Sequence, residues 1–216
     1  MNKWTRLLIG AVLLTLLLGV SLFYWQREEP QVQSRLVVQA DDSHGDWSTG
    51  YLRVEGPAEL EFPADHGPHL EYQTEWWYYT GNLVANEGQR FGYQLTFFRR
   101  ALAPVSLRAE RDSAWATDQV YMAHFALTDV QGKRFSASER FVRGAAGLAG
   151  GQAAPFQVWL EDWGVEEVEP GVVRMRAAQE DLSLDLVLVD RKGPILQGDG
   201  GFSPKGPQPG NASYYY

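Results

Sequence analysis

From Tyr51 onward the chain carries almost no helical periodicity, and that absence limits its fold more than any other feature. Short runs alternate between apolar and polar residues and are cut by turn residues, the pattern of an antiparallel sandwich or barrel. Strands are predicted over 74–84, 90–100, 120–128, 134–141, 156–163, 172–177 and 182–189. The turn "ANEGQ" joins the first two as a hairpin and "DVQGK" joins the next two. In 182–189 four leucines alternate with Ser183, Asp185 and Val187, a strand with one wet face. "GLAGGQAAP" (147–155) is expected to be a loop. Residues 193–210 hold six glycines and four prolines, too many for an element interior. The closing "SYYY" looks like the start of a further strand, so this chain is expected to be the front part of a longer protein.

Hydrophobic residues make up 44% of the 216 and aromatic residues 13%, enough for a core rich in strand-favouring rings. The net charge of −8, with no clustered Lys and Arg, argues against nucleic acid as a partner. With no cysteine, disulfides, zinc–thiolate sites and thiol nucleophiles are excluded.

The N-terminus addresses location. Lys3 and Arg6 precede an uncharged run from Leu7 to Trp25, which as a helix would span roughly 28 Å, close to the bilayer core. Trp4 at one end, and Phe23, Tyr24 and Trp25 at the other, suit the two membrane interfaces. Residues 1–25 are therefore expected to be a single transmembrane signal-anchor helix in the inner membrane, with 26–50 a tether and 51–192 a periplasmic β-domain. The rival reading is a cleaved signal peptide and a secreted protein.

The densest chemistry lies in "TEWWYYTGN" (74–82). On a strand, Glu75, Trp77 and Tyr79 share one face, and Trp76, Tyr78 and Thr80 the other. These rings are either core or the wall of an apolar binding site. In the second case Glu75, desolvated by Trp77 and Tyr79, would stay protonated and could donate a proton. His124, in "YMAHFALTD", is either a satisfied polar residue of its strand or a second catalytic group paired with Asp129, whose commoner role at a turn is to bond the backbone. His66 and His69, with Asp65 and Glu71, could ligate a metal, but Gly67-Pro68 between them reads as a loop held by side-chain hydrogen bonds. Asp162, Trp163 and Trp159 form a second aromatic–acid cluster, read as core with a solvent-facing carboxylate. "GDGG" (198–201) lacks the helix and lysine of a phosphate loop, and no Gly-x-Ser-x-Gly elbow is present. Neither metal nor cofactor is expected.

The stretches "DHGPHLEYQTEWWYYTGNL", "GYQLTFFRR", "YMAHFALTD" and "LQGDGGFSPKG" followed by "SYYY" resemble the carotenoid 1,2-hydratase family of secreted lipocalin-like proteins, which includes exported proteins labelled as hydrolases. The resemblance runs from about Gly50 to the last residue. It implies two successive lipocalin-like barrels, of which this chain contains the first, while the family's acid and aromatic catalytic positions lie in the second. It also suggests a reaction, addition of water to an isolated isoprenoid double bond through a carbocation that aromatic faces stabilise. The expectation is a lipocalin-like antiparallel barrel or sandwich that binds an apolar isoprenoid or lipid at Trp76, Trp77, Tyr78 and Tyr79. Glu75 and His124 are its catalytic candidates if it is a hydratase. Its expected partners are the hydrophobic small molecule, the inner membrane, and a second lipocalin-like domain or a transporter. The alternative is a non-catalytic lipid-binding or scaffolding module.

Overall fold

The computed structural model describes Asn2, residues 49–108 and residues 112–216. Apart from Asn2, the expected anchor and the tether up to residue 48 lie outside the described residues. Among the described residues no helix is long and apolar enough to cross a membrane.

The described chain is all-β. Four strands, β1 (Thr74–Val84), β2 (Arg90–Ala101), β3 (Gln119–Asp129) and β4 (Arg134–Arg143), form one antiparallel sheet in sequence order. Five more, β5 (Ala149–Ala153), β6 (Phe156–Leu160), β7 (Trp163–Glu169), β8 (Val172–Gln179) and β9 (Leu182–Val189), form a second, also in sequence order. A short hairpin of β10 (Phe202–Pro204) and β11 (Ala212–Tyr214) follows. The only helical turns among the described residues are 3-10 segments at Ala64–His66 and Val105–Leu107.

Each hairpin is closed by local chemistry. At the β1–β2 turn Gly88 adopts φ +80° and donates to Ala85 O at 2.9 Å, a backbone shape that a Cβ disfavours. At the β3–β4 turn the Asp129 carboxylate accepts the Gly132 N–H at 2.8 Å, so this aspartate bonds the backbone.

The two sheets pack face to face through one core. Trp77, Leu95, Phe97 and Phe125 from the first sheet meet Val158, Leu160, Trp163 and Met175 from the second. Trp163 is fully buried, and its indole N–H donates to Ala178 O at 2.8 Å, which satisfies the polar atom of an otherwise apolar ring. Alternation decides who enters. Across β1 and β2 the registers Glu75↔Arg99, Trp77↔Phe97 and Tyr79↔Leu95 face inward, while Trp76↔Phe98 and Tyr78↔Thr96 face outward.

Two differences from the sequence expectation concern the second sheet. The single strand predicted over 156–163 is a hairpin, β6 and β7, turning at Glu161-Asp162, where Glu161 adopts φ +55°. The predicted loop 147–155 contains β5. Its glycines are strand glycines because rings lie on them: a Cβ at Gly150 would sit 2.5 Å from the Trp159 indole, and one at Gly151 would touch Trp77 at 3.5 Å. Trp159 thus covers the outer side of β5, and its N–H donates to Gly147 O at 3.0 Å. Asp162 pairs with Arg140, which also reaches Glu161 at 3.1 Å and lies 4.3 Å above the Trp163 ring. The "SYYY" stretch does enter a strand, β11, paired back on β10.

Candidate functional site

A cleft of about 1070 Å³ opens along β1 and is bordered by β8 and β9, the 51–79 segment and the C-terminal hairpin. It exists because β1 and β9 are edge strands of separate sheets. Three apolar side chains that line it, Tyr79, Val173 and Leu188, pack on the core yet stay only partly buried.

At one end of the cleft lies a charged cluster. The hairpin register puts Glu75 opposite Arg99, and the Arg99 Nε donates to Glu75 Oε2 at 3.1 Å. Arg99 is fully buried, a position an unpaired guanidinium could hold only at great cost. Its other nitrogens reach Gln119 Oε1 at 3.0 Å, His69 O at 2.7 Å and Tyr72 O at 2.8 Å. Glu75 also accepts the His69 backbone N–H at 3.1 Å and meets His69 Nδ1 at 2.7 Å. On its far side, His69 Nε2 lies 3.1 Å from Asp65 Oδ1. The Glu75 hydrogen bond is the main reason that the His69 pKa rises to about 9, with Asp65 adding to it against the opposing effect of burial. The imidazolium is therefore a fixed cation at neutral pH, shared by two carboxylates.

This changes the chemistry expected of Glu75. It does share the inner face with Trp77 and Tyr79, but the groups that contact its carboxylate are donors. It acts as an acceptor that ties the 65–72 loop and Arg99 to β1. Proton donation to a substrate would require breaking those contacts.

Of the four expected wall residues, Trp77 and Tyr79 face inward. Trp77 is buried and its indole N–H donates to His66 O at 2.9 Å. Tyr79 lines the cleft, and burial pushes its phenol pKa above the usual tyrosine range, helped by nearby Tyr216. Trp76 and Tyr78 touch the cleft's rim but project to the outer face of the sheet. His124 lies on that outer face too. Its Nε2 is 2.9 Å from Glu139 Oε2 and its ring packs against Phe98, so it is not brought together with Glu75. Asp129 turns away to Gly132 and Arg134.

His66 and His69 diverge. His69 is engaged as described, and His66 enters a ring cluster with Phe62 at 4.8 Å, Tyr216 at 5.6 Å and Phe156 at 6.2 Å between centroids. Asp65, His69 and Glu75 are spent on one another and on Arg99, whose guanidinium stands where a bound cation would. Among the described residues no group of His, Asp and Glu is arranged to hold a metal ion. The residues that sequence reasoning missed are Arg99 and Tyr216. Arg99 was within reach, because counting back from the 85–89 turn sets it opposite Glu75. Tyr216 contacts a histidine 150 positions away, which no local pattern announces.

A family model described as AttH-like matches residues 53–216. A crystal structure of a Nitrosomonas europaea protein provisionally assigned as an AttH is similar at 34% identity and a TM-score of 0.64, covering 76% of this chain. This chain spans 48% of that protein's length. No curated protein matches.

Proposed function

Because the chain belongs to the AttH-like family, we propose that it is a lipocalin-like binder of an apolar isoprenoid or lipid, held in the cleft between its two sheets. One observation carries this reading: a cleft of about 1070 Å³ whose wall includes Tyr79, Val173 and Leu188, apolar side chains that the core leaves only partly covered. Small-molecule sites usually measure about 300–1,000 Å³ and are mostly apolar with a few convergent polar groups. Filling the cleft would remove the exposed parts of Tyr79, Val173 and Leu188 from water, at roughly 25 cal/mol per Å² of apolar surface covered.

Binding is favoured over hydration of a double bond. The acid that hydration would need at this site, Glu75, is held by Arg99 and His69. In the same proposal the uncharged run 7–25 tethers the domain to the inner membrane, and the domain faces the periplasm. A second lipocalin-like domain or a transporter exchanges the ligand with it.

The test is a titration of the full chain with a fluorescent, uncharged conjugated polyene. Energy transfer from tryptophan should saturate at one polyene per chain. Leu188→Arg, which puts a charge into the apolar wall, should weaken binding tenfold or more while the circular dichroism spectrum is kept. A signal that rises without saturation, or one indifferent to Leu188→Arg, would remove the cleft as the site.

A further inference from the structure

We propose that the cleft selects apolar ligands that end in a neutral hydroxyl group, which donates its proton to His66 Nε2 and accepts one from the Tyr79 phenol. The inference rests on the ligand-binding reading above and adds the chemical class of the ligand's polar end.

The His66 tautomer follows from its neighbour. The Tyr216 hydroxyl has one proton, and that proton goes to Asp65 O at 2.8 Å, because a carbonyl can only accept. The same oxygen lies 3.2 Å from His66 Nδ1. With its own proton committed, Tyr216 can only accept there, so Nδ1 carries the hydrogen. Burial lowers the His66 pKa despite the opposing pull of Glu167, Asp190 and Asp65, so the ring is neutral. A neutral imidazole with its proton on Nδ1 presents a bare lone pair at Nε2. Among the described residues nothing donates to that nitrogen.

Tyr79 supplies the complement. Its side chain lines the same cleft as His66, and among the described residues its hydroxyl has no hydrogen-bond partner. Tyr79 is only partly buried, so in the open cleft its hydroxyl can bond water, and a ligand hydroxyl can take that water's place. The phenol keeps its proton at any ordinary pH, because burial raises its pKa further, and is therefore available as a donor. Tyr216 neighbours both residues. The cleft thus offers one bare acceptor and one free donor within a setting of aromatic rings. A hydroxyl, which donates once and accepts, matches that pair.

The surrounding charge narrows the choice. Glu167, Asp190 and Asp65 all act on His66, and a ligand carboxylate or phosphate brought to its Nε2 would meet their repulsion as well as the lone pair. An ammonium could donate to Nε2 but would offer the phenol proton no acceptor. The carboxylates Asp65 and Glu75 are already engaged by His69 and Arg99.

The experiment uses the full chain loaded with the fluorescent polyene and displaces it with four C16 chains: hexadecan-1-ol, its methyl ether, hexadecylamine and hexadecanoate. The alcohol should displace at a concentration about tenfold below the ether, a ratio expected of one net hydrogen bond, and below the amine and the acid. His66→Phe and Tyr79→Phe should each bring the alcohol-to-ether ratio toward one. Tyr79→Phe removes a single oxygen, so the proposal stays testable if His66→Phe does not fold. Equal displacement by alcohol and ether, or tighter displacement by the amine or the acid, would overturn the hydroxyl assignment while leaving the cleft as an apolar site. Failure of the polyene itself to bind would remove both.

Discussion

Replacing Glu75 by glutamine should damage the fold before it damages any chemistry. Arg99 is fully buried and the Glu75 side chain is only 14% exposed. Breaking a buried ion pair from one side costs about 3–5 kcal/mol, since the remaining charge is left without its counterion. Glutamine keeps an accepting oxygen, and Arg99 retains Gln119 Oε1, His69 O and Tyr72 O. The low end, about 3 kcal/mol, is therefore expected for Glu75→Gln, and the high end, about 5 kcal/mol, for Glu75→Leu. Against a domain stability of about 5–15 kcal/mol, either is a large fraction. At this chain length the melting temperature should fall by about 6–12 °C for the glutamine variant. Urea melts followed by tryptophan emission give the number, and a double-mutant cycle with Arg99→Met isolates the pair. The double variant should recover much of the loss, because it removes the orphaned charge. A Glu75→Gln variant within 1 kcal/mol of the parent, or a cycle with no coupling, would refute the reasoning.

The His69 pKa supplies a pH prediction. Folding raises it from 6.5 to about 9, so the stabilisation is complete below pH 6.5 and is lost as the pH climbs through 9. The full shift corresponds to about 3 kcal/mol, and with the side chain 32% exposed solvent screening leaves roughly 1–2 kcal/mol. Urea midpoints at pH 6 and pH 9.5 should differ accordingly, and His69→Asn should flatten the difference. Gly67→Ala should destabilise by about 1–3 kcal/mol, since its Cβ would overlap Ala153 on β5, and thermal melts read this directly. His124→Ala breaks the exposed pair with Glu139 and an edge contact with Phe98, so stability should change by no more than about 1 kcal/mol and polyene binding should not change.

How far the sequence carries can be seen residue by residue. The alternation in 74–84 and 90–100 sorted the residues into two faces, but which face turns inward depends on what the sheet packs against, and that is not local. The same alternation also put Glu75 beside Trp77 and Tyr79. What it could not convey was the polar company: His69 arrives from a loop, and Arg99 from the neighbouring strand. Rings next to a carboxylate in sequence then suggest an acid, where the fold supplies counterions. Strand β5 was hidden because glycines in "AGGQA" signal a loop unless one knows that Trp159 and Trp77 lie over them. The β6–β7 turn was hidden because Glu161-Asp162 contains no glycine, although Glu161 takes the positive φ that glycine usually supplies. The contact of His66 with Tyr216 depends on the C-terminal hairpin folding back over the 51–72 segment, a purely tertiary event.

The central claim is that the apolar ligand sits between the sheets, and photo-crosslinking tests it most directly. The opposite face of the first sheet carries its own apolar row, Trp76, Phe98, Met122 and Phe141 in register, so the two locations are distinguishable by mass spectrometry. A C16 alcohol bearing a mid-chain diazirine should label peptides at Tyr79, Val173 and Leu188, with the unlabelled alcohol competing it away. Labelling concentrated on Phe98, Met122 and Phe141, which lie outside the cleft, or labelling that the unlabelled alcohol fails to suppress, would contradict the account.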